Sequence, residues 1–455
     1  MDFFDVEGTW WLPGRQAEAV AGKLTFDSDG LKLTAYGSLH AVERLEPGGE
    51  TPLELVWVTE PLVYGTARDQ RDISLINARG GYLPDVPAAE ETYRPELVLI
   101  GGHVPGAEFS EARVEIDHLA DWIDAPSLTR RQGRDISLST QSVELMQTKA
   151  GDSTVKVISG AYGRVNDDSV HLDQYCMFTV TTKTPMDWQG MLAEQVRPLH
   201  DLMILALGRP LAMNSFYLRP AVGDKRPLCE AYFDTLRPKK TTGSIRNDAA
   251  PTLLLASDSA IDLAELVTSW FQFHRRFKKV LLPLLNPFFA PFTYSEHRFI
   301  SIFQALEALH QDKKLYASTD VTKEQHKQRV AAVIDKFDDA GLEQETLDWA
   351  KSVLLGRNDK PLKQRVQEVV DSTGKMGEVI LKKAPKFAQS VASARSGLSH
   401  GGGKNPFTPA ALHWHGEVLM WVTRARLLAE LGVPDVYARA VSKAPFTFAV
   451  EQIRC

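Results

Sequence analysis

The sequence predicts an α+β protein of more than one domain, with a β-rich N-terminal region followed by an all-α helical bundle. Three observations predict it. Short runs rich in Val, Thr and aromatics, cut by Gly, Asp and Pro, extend to about Thr235. A polar, irregular stretch then runs from Lys239 to Pro251. Beyond it, apolar residues recur at spacings of three and four. The expected domains are 1–245, compatible with two β-rich subdomains split near 125–150 or with one large sandwich carrying a packed helix, and 252–455.

Taken in order, the strand signals are Gly22 to Phe26, Leu31 to Tyr36, Leu53 to Thr59, Glu96 to Ile100, Val155 to Tyr162 and Cys176 to Thr182. Asp27-Ser28-Asp29-Gly30 separates the first two and reads as a hairpin turn. One helix interrupts the pattern from about Asp187 to Leu207, with Pro198 placed to kink it. The bundle begins with a helix from Ile261 to Leu285, capped by Asp258 or Ser259 and stopped by Pro287. Ser295 to Gln311 follows, its stripe of Phe299, Ile302, Phe303, Leu306 and Leu309 wide enough to face a core. Further helices are expected at Lys323 to Asp339, Leu342 to Leu355, Leu362 to Asp371, Glu378 to Leu398 and Pro409 to Leu431, the last closed by Gly432 and Pro434.

No apolar run reaches the roughly 20 residues a membrane span needs, and the acidic, aromatic N-terminus lacks the features of a signal peptide, so a cytoplasmic protein is expected. Three widely spaced cysteines, Cys176, Cys229 and Cys455, fit neither a disulfide framework nor a zinc site, and no cofactor is expected. The formal charge of −6 is polarised. Residues 1–200 carry roughly −14 and residues 201–455 roughly +8. A polyanion would be repelled by the first part and tolerated by the second, most of all near Arg237, Lys239 and Lys240, near Arg275, Arg276, Lys278 and Lys279, and near Lys382, Lys383 and Lys386.

Arg395-Ser396-Gly397-Leu398-Ser399-His400, just before Gly401-Gly402-Gly403, carries the most suggestive chemistry. On an unbroken helix the Arg and the His would stand about 140° apart. Gly397 and the glycine run predict instead that the helix ends between them, letting His400 swing toward Arg395. An imidazole that moves protons near neutral pH and a permanently charged guanidinium are what metal-free RNA cleavage by the ribose 2′-hydroxyl needs. The spacing alone says little, because Arg113 with His118 and Arg164 with His171 match it too, though neither has a helix end or basic surroundings.

The surrounding text adds to this. Glu7-Gly8-Thr9-Trp10-Trp11-Leu12-Pro13, Ala21-Gly22-Lys23-Leu24-Thr25-Phe26, Arg298-Phe299 and Ala305-Leu306-Glu307-Ala308-Leu309-His310 accompany the Arg395 motif. Together these resemble the HEPN superfamily of helical-bundle ribonucleases, and more closely the ApeA-type abortive-infection proteins of phage defence. The resemblance implies a metal-independent endoribonuclease with Arg395 and His400 as catalytic residues, a homodimer joining both protomers' pairs in one cleft, and an N-terminal region that senses a phage-derived trigger. RNA, with tRNA or another structured RNA foremost, is the implied substrate. The chain departs from the superfamily at Ser396, where Asn, Asp or His is common, so a catalytically inactive HEPN-type module that binds RNA, a nucleotide or a protein is the alternative.

Supporting roles are open to several residues. Glu307 can orient Arg395 through an ion pair or stand solvated. Lys382, Lys383, Lys386 and Lys404 can meet an RNA backbone. His413-Trp414-His415 invites a metal reading, but i, i+2 spacing splits the imidazoles on a helix, and Trp10 and Trp11 read as core residues more readily than as a ligand platform.

Overall fold

The computed structural model describes residues 3–40, 55–82, 90–126, 129–132, 135–138, 142–166, 169–222, 227–234, 243–290, 294–319, 321–400 and 407–453. The chain divides into two compact units, one of residues 1–204, 209–245 and 255–272, the other of residues 205–208, 246–254 and 273–455.

The first unit is built on six consecutive antiparallel strands, β1 (Phe4–Trp11), β2 (Val20–Asp27), β3 (Gly30–Tyr36), β4 (Val56–Ala67), β5 (Asp72–Tyr82) and β6 (Glu90–Arg94). They close into a ring in the order β1, β2, β3, β6, β5, β4 and back to β1. Alternation along these strands points Leu24, Phe26, Leu31, Leu33, Val63, Leu75 and Tyr93 into the ring, where they pack around Trp10. Gly65 is required there, because a β-carbon on it would collide with the Trp10 indole. The hairpin turn forms as expected, with Asp27 opposite Gly30 and the Asp27 carboxylate accepting the Asp29 N–H at 2.8 Å.

β5 also starts a second sheet. Its Ile73 to Ile76 half pairs with β7 (Leu97–Ile100), whereas Arg79 to Gly81 pair with β6. The switch falls at Asn77, which takes a left-handed φ of 52°. Across the ladder Pro61 of β4 has no N–H to offer, so pairing skips from Glu60–Ala78 to Leu62–Ile76. The Asn77 amide donates to Glu96 at 3.0 Å and pins the departing strand.

From β7 the sheet runs through β15 (Cys229–Tyr232), β14 (Met213–Pro220), β8 (Glu108–Ile116), β13 (Ser169–Asp187) and β12 (Ser153–Asn166) to β11 (Val143–Ala150). A separate hairpin pairs β9 (Thr129–Gln132) with β10 (Asp135–Leu138), and α1 (Leu119–Ile123) follows β8. The expected helix near Asp187 is three segments: α2 (Trp188–Gly190), a wider π-type turn over Met191–Val196, and α3 (Arg197–Leu207). Pro198 therefore sits in the first turn of α3, where its missing N–H costs little, and the turn before it loosens.

The helical region holds α4 (Leu263–Arg276), α5 (Lys278–Phe289), α6 (Ser295–His310), α7 (Lys323–Asp339), α8 (Gln344–Leu355), α9 (Leu362–Asp371), α10 (Lys375–Lys383), α11 (Phe387–His400), α12 (Pro409–Glu430), α13 (Val436–Ser442) and α14 (Ala444–Gln452). A β-rich N-terminal region followed by an all-helical one is thus the architecture the sequence predicted. Three details differ. The single helix expected at Ile261 to Leu285 is α4 and α5, interrupted at Phe277, whose ring turns inward to be buried. Its cap is Asp262, which accepts the N–H groups of Ala264 and Glu265, and Pro287 lies inside α5. The helix expected at Glu378 to Leu398 is α10 and α11, parted at Ala384, whose backbone Pro385 forces toward the extended region.

The core of the bundle lies between α6 and α12. Phe299, Ile302, Phe303, Leu306 and Leu309 of the first meet Val418, Leu419, Val422 and Ala425 of the second, all buried.

Candidate active site

α11 brings Phe387, Ala388, Val391 and Ala394 to the core, and this leaves Arg395 at the border of the buried face, its side chain 30% exposed. Arg395 Nε donates to Glu307 Oε2 on α6 at 3.3 Å, and Nη1 donates to Ser399 Oγ at 2.9 Å. Of the two readings of Glu307, the ion pair is the one present. Nη2 has no partner among the described residues and stays available to an oxyanion while Nε and Nη1 are held.

The helix does not end before His400. It runs through Gly397 to His400 as its last residue, and Gly397 keeps a right-handed backbone. One glycine inside a helix costs about 1 kcal/mol, which buried side chains on either side can offset; termination needs a left-handed residue that Gly397 does not supply. Positions 395 and 400 consequently lie about 140° apart around the axis and about 7.5 Å along it. The imidazole of His400 lies outside the described residues, as do Gly401, Gly402, Gly403 and Lys404, and Arg237, Lys239 and Lys240.

Ser396 turns back on its own helix, its hydroxyl donating to the Ala392 carbonyl at 3.1 Å. Lys382, Lys383 and Lys386 are exposed near the start of α11, and Lys386 is nine residues from Arg395, about 13 Å by helical rise, so they do not cluster with it. Lys383 is engaged with Glu451 at 2.6 Å. Arg276, from another basic cluster, is neutralised by Asp312 and Glu430 at 2.8 and 3.3 Å.

One turn beyond Glu307, α6 carries a network that sequence reasoning missed. His310, 1% exposed, meets Glu368 Oε2 at 2.9 Å, and Glu368 also accepts from Lys360 at 2.6 Å and Gln364 at 3.1 Å. Burial alone would raise the Glu368 carboxyl, but the hydrogen bonds from Lys360, His310 and Gln364 outweigh it and bring the group down to about 2. The Tyr316 ring stacks on His310 at 4.9 Å. The network locks the C-terminal turn of α6, and with it the carboxylate that holds Arg395. No spacing could have revealed it, since His310 and Glu368 are 58 residues apart.

The other candidates resolve plainly. His415 is buried between Phe387 and Phe407, its Nδ1 2.8 Å from the Ala411 carbonyl, whereas His413 lines a cavity elsewhere on α12. Trp10 and Trp11 are buried in the barrel unit. Cys176 and Cys229 are buried thiols, pushed up by burial to about 12 and about 11, whereas Cys455 lies outside the described residues. Among the described residues, no three His, Cys, Asp or Glu side chains come together in a way that could hold a metal ion, and no helix is long and apolar enough to cross a membrane.

Two family profiles match the chain. The one described as ApeA N-terminal domain 1 covers residues 5–270, and the one described as Apea-like HEPN covers residues 300–437, which includes most of α6, Arg395 and His400. Neither the curated proteins nor the solved structures compared with the chain give a match.

Proposed function

Because the chain belongs to the ApeA family, whose C-terminal part is a HEPN domain of the kind generally associated with RNA cleavage, we propose that it is a metal-independent endoribonuclease of abortive infection. The observation that carries this reading is the part-exposed Arg395 fork, anchored by Glu307 and Ser399 and with no partner for Nη2 among the described residues, inside the HEPN-matched segment. In it the Arg395 guanidinium takes the non-bridging oxygens of the scissile phosphate and neutralises charge as the 2′-hydroxyl attacks. His400 accepts the hydroxyl proton or protonates the leaving oxygen. The products are a 2′,3′-cyclic phosphate and a 5′-hydroxyl, and tRNA or another structured RNA is the substrate.

The continuous α11 supports a homodimer as the working form. Positions 395 and 400 diverge on one helix, so a two-fold interface that places His400 of one copy beside Arg395 of the other supplies acid, base and two phosphate clamps in one cleft. In this reading the protein acts in the cytoplasm, and the β-rich region restrains it until a phage-derived trigger binds. The competing reading, an inactive HEPN-type binding module, draws on Ser396, whose hydroxyl is spent on its own helix.

Sequencing of cellular RNA ends after induction of the wild type beside Arg395→Ala and His400→Ala tests the proposal. New 5′-hydroxyl ends in the wild type alone are expected. Cuts that persist in either variant, that vanish with EDTA in the purified enzyme, or that leave 3′-hydroxyl ends would refute the mechanism.

A further inference from the structure

The second unit carries a partly open cavity of about 600 Å³ away from Arg395. Arg298, which lines it, and Glu307, which holds Arg395, are nine residues apart on α6. That separation is half a revolution around the axis and about 13 Å along it, so the two regions lie on opposite sides of the helix.

Aromatic rings form much of the lining: Phe288 of α5, Trp414 and Trp421 of α12, and Phe448 of α14, the last 55% exposed at the rim. The Trp414 and Phe448 rings meet edge to face at 5.2 Å. Charge enters in two ways. Arg298 Nη2 and Nε both donate to Glu417 Oε1, at 2.6 and 3.0 Å, and the two charges cancel. Arg424 is different, because it is 1% exposed and no carboxylate among the described residues pairs with it.

The Arg424 guanidinium is held by carbonyls. Nε and Nη2 donate to Leu205 at 3.0 and 2.9 Å, and Nη2 also reaches Pro251 at 3.1 Å. These bonds cap the free carbonyl end of α3 and account for that half of the side chain. They do not account for Nη1, which has no partner among the described residues and rests against Gly208. Gly208, with φ of 67°, has no β-carbon, and one there would overlap the guanidinium. Burial pushes the group down to about 9, and the nearby Glu417 carboxylate offsets only part of that. With Arg298 and Glu417 cancelling each other, Arg424 leaves the cavity lining with a net positive charge among the described residues, within aromatic walls.

We propose that this cavity binds a small molecule that joins a planar aromatic or heteroaromatic ring to an anionic group, the ring against the aromatic walls and the anion on Arg424 Nη1. The volume is that of a ligand site, and the assignment stands independently of the RNA-cleavage reading. A carboxylate and a phosphate satisfy the same geometry. Calorimetric titration of the full chain with adenosine 5′-monophosphate and with indole-3-acetate separates them, and adenosine and inorganic phosphate serve as ring-only and anion-only controls.

At least one ring-plus-anion probe is expected to bind about tenfold or more tightly than either control. Phe448→Ala and Trp414→Ala, both outside the packed core, should each weaken that binding about tenfold, and Arg424→Met should abolish it. Since Arg424→Met removes a helix cap and can unfold the chain, the two aromatic variants decide the matter. Silence of both probes at millimolar concentration, or binding unchanged in both aromatic variants, overturns the proposal. So does binding confined to single-stranded oligoribonucleotides, which would make the cavity part of an RNA path.

Discussion

Arg395 and Arg424 stand on consecutive helices of the bundle, and their surroundings could hardly differ more. Arg395 is part-exposed, paired with a carboxylate, and leaves Nη2 without a partner among the described residues. Arg424 is buried, held by backbone carbonyls, and rests its spare nitrogen against Gly208 in the lining of a cavity. At the surface a carboxylate partner fixes orientation at little thermodynamic cost, and the charge remains available to a polyanion. In the interior the same guanidinium is a structural cap for the Leu205 and Pro251 carbonyls, and its residual charge is expensive.

Substitutions at each position sharpen the contrast. Arg395→Ala and His400→Ala should each reduce RNA cleavage by about 10³-fold or more in a single-turnover assay, with unchanged thermal stability. Arg424→Met should do the reverse. It strands the Leu205 and Pro251 carbonyls and is expected to lower unfolding stability by about 3 kcal/mol in a denaturant titration.

Glu368 provides a pH probe of the anchor behind Arg395. Its folded value, about 2, lies below the ordinary 4.5, so the contribution is fully present above pH 4.5 and is lost as pH falls toward 2. Glu368→Gln should flatten the acid limb of stability over that window by about 2 kcal/mol after allowance for solvent screening, as read from chemical-denaturation midpoints at successive pH values. The smallest effect is expected from Glu307→Gln. It should cost less than about 1 kcal/mol of stability yet slow cleavage about tenfold, because Arg395 loses its anchor. Equal cleavage by Glu307→Gln and wild type would assign that ion pair a purely structural part.

What the sequence disclosed, and what it hid, follows from the range of the forces involved. Long amphipathic helices such as Lys323–Asp339 and Leu362–Asp371 are set by local periodicity and were legible to the residue. Strands β1, β5, β6, β8, β11, β14 and β15 were not, since glycines and polar residues interrupt their alternation and partners distant in sequence define them. Helices α13 and α14 are too short to display a period. At the candidate site, the Arg395 and Glu307 pairing could be suspected from helix faces, whereas the persistence of α11 through Gly397 could not. A glycine ends a helix only when tertiary packing lets it, and that information lies in Val391 and Ala394 rather than in the motif.

The branching of β5 has a mechanical consequence. One strand serves two neighbours on the same edge, so the barrel and the open sheet share a single backbone segment from Ile73 to Gly81. Neither sheet can come apart without fraying the other at Asn77. Amide protons on β2 and on β15, remote from each other in the ladder, should therefore exchange with one common free energy, and any load applied at one end is delivered to the other.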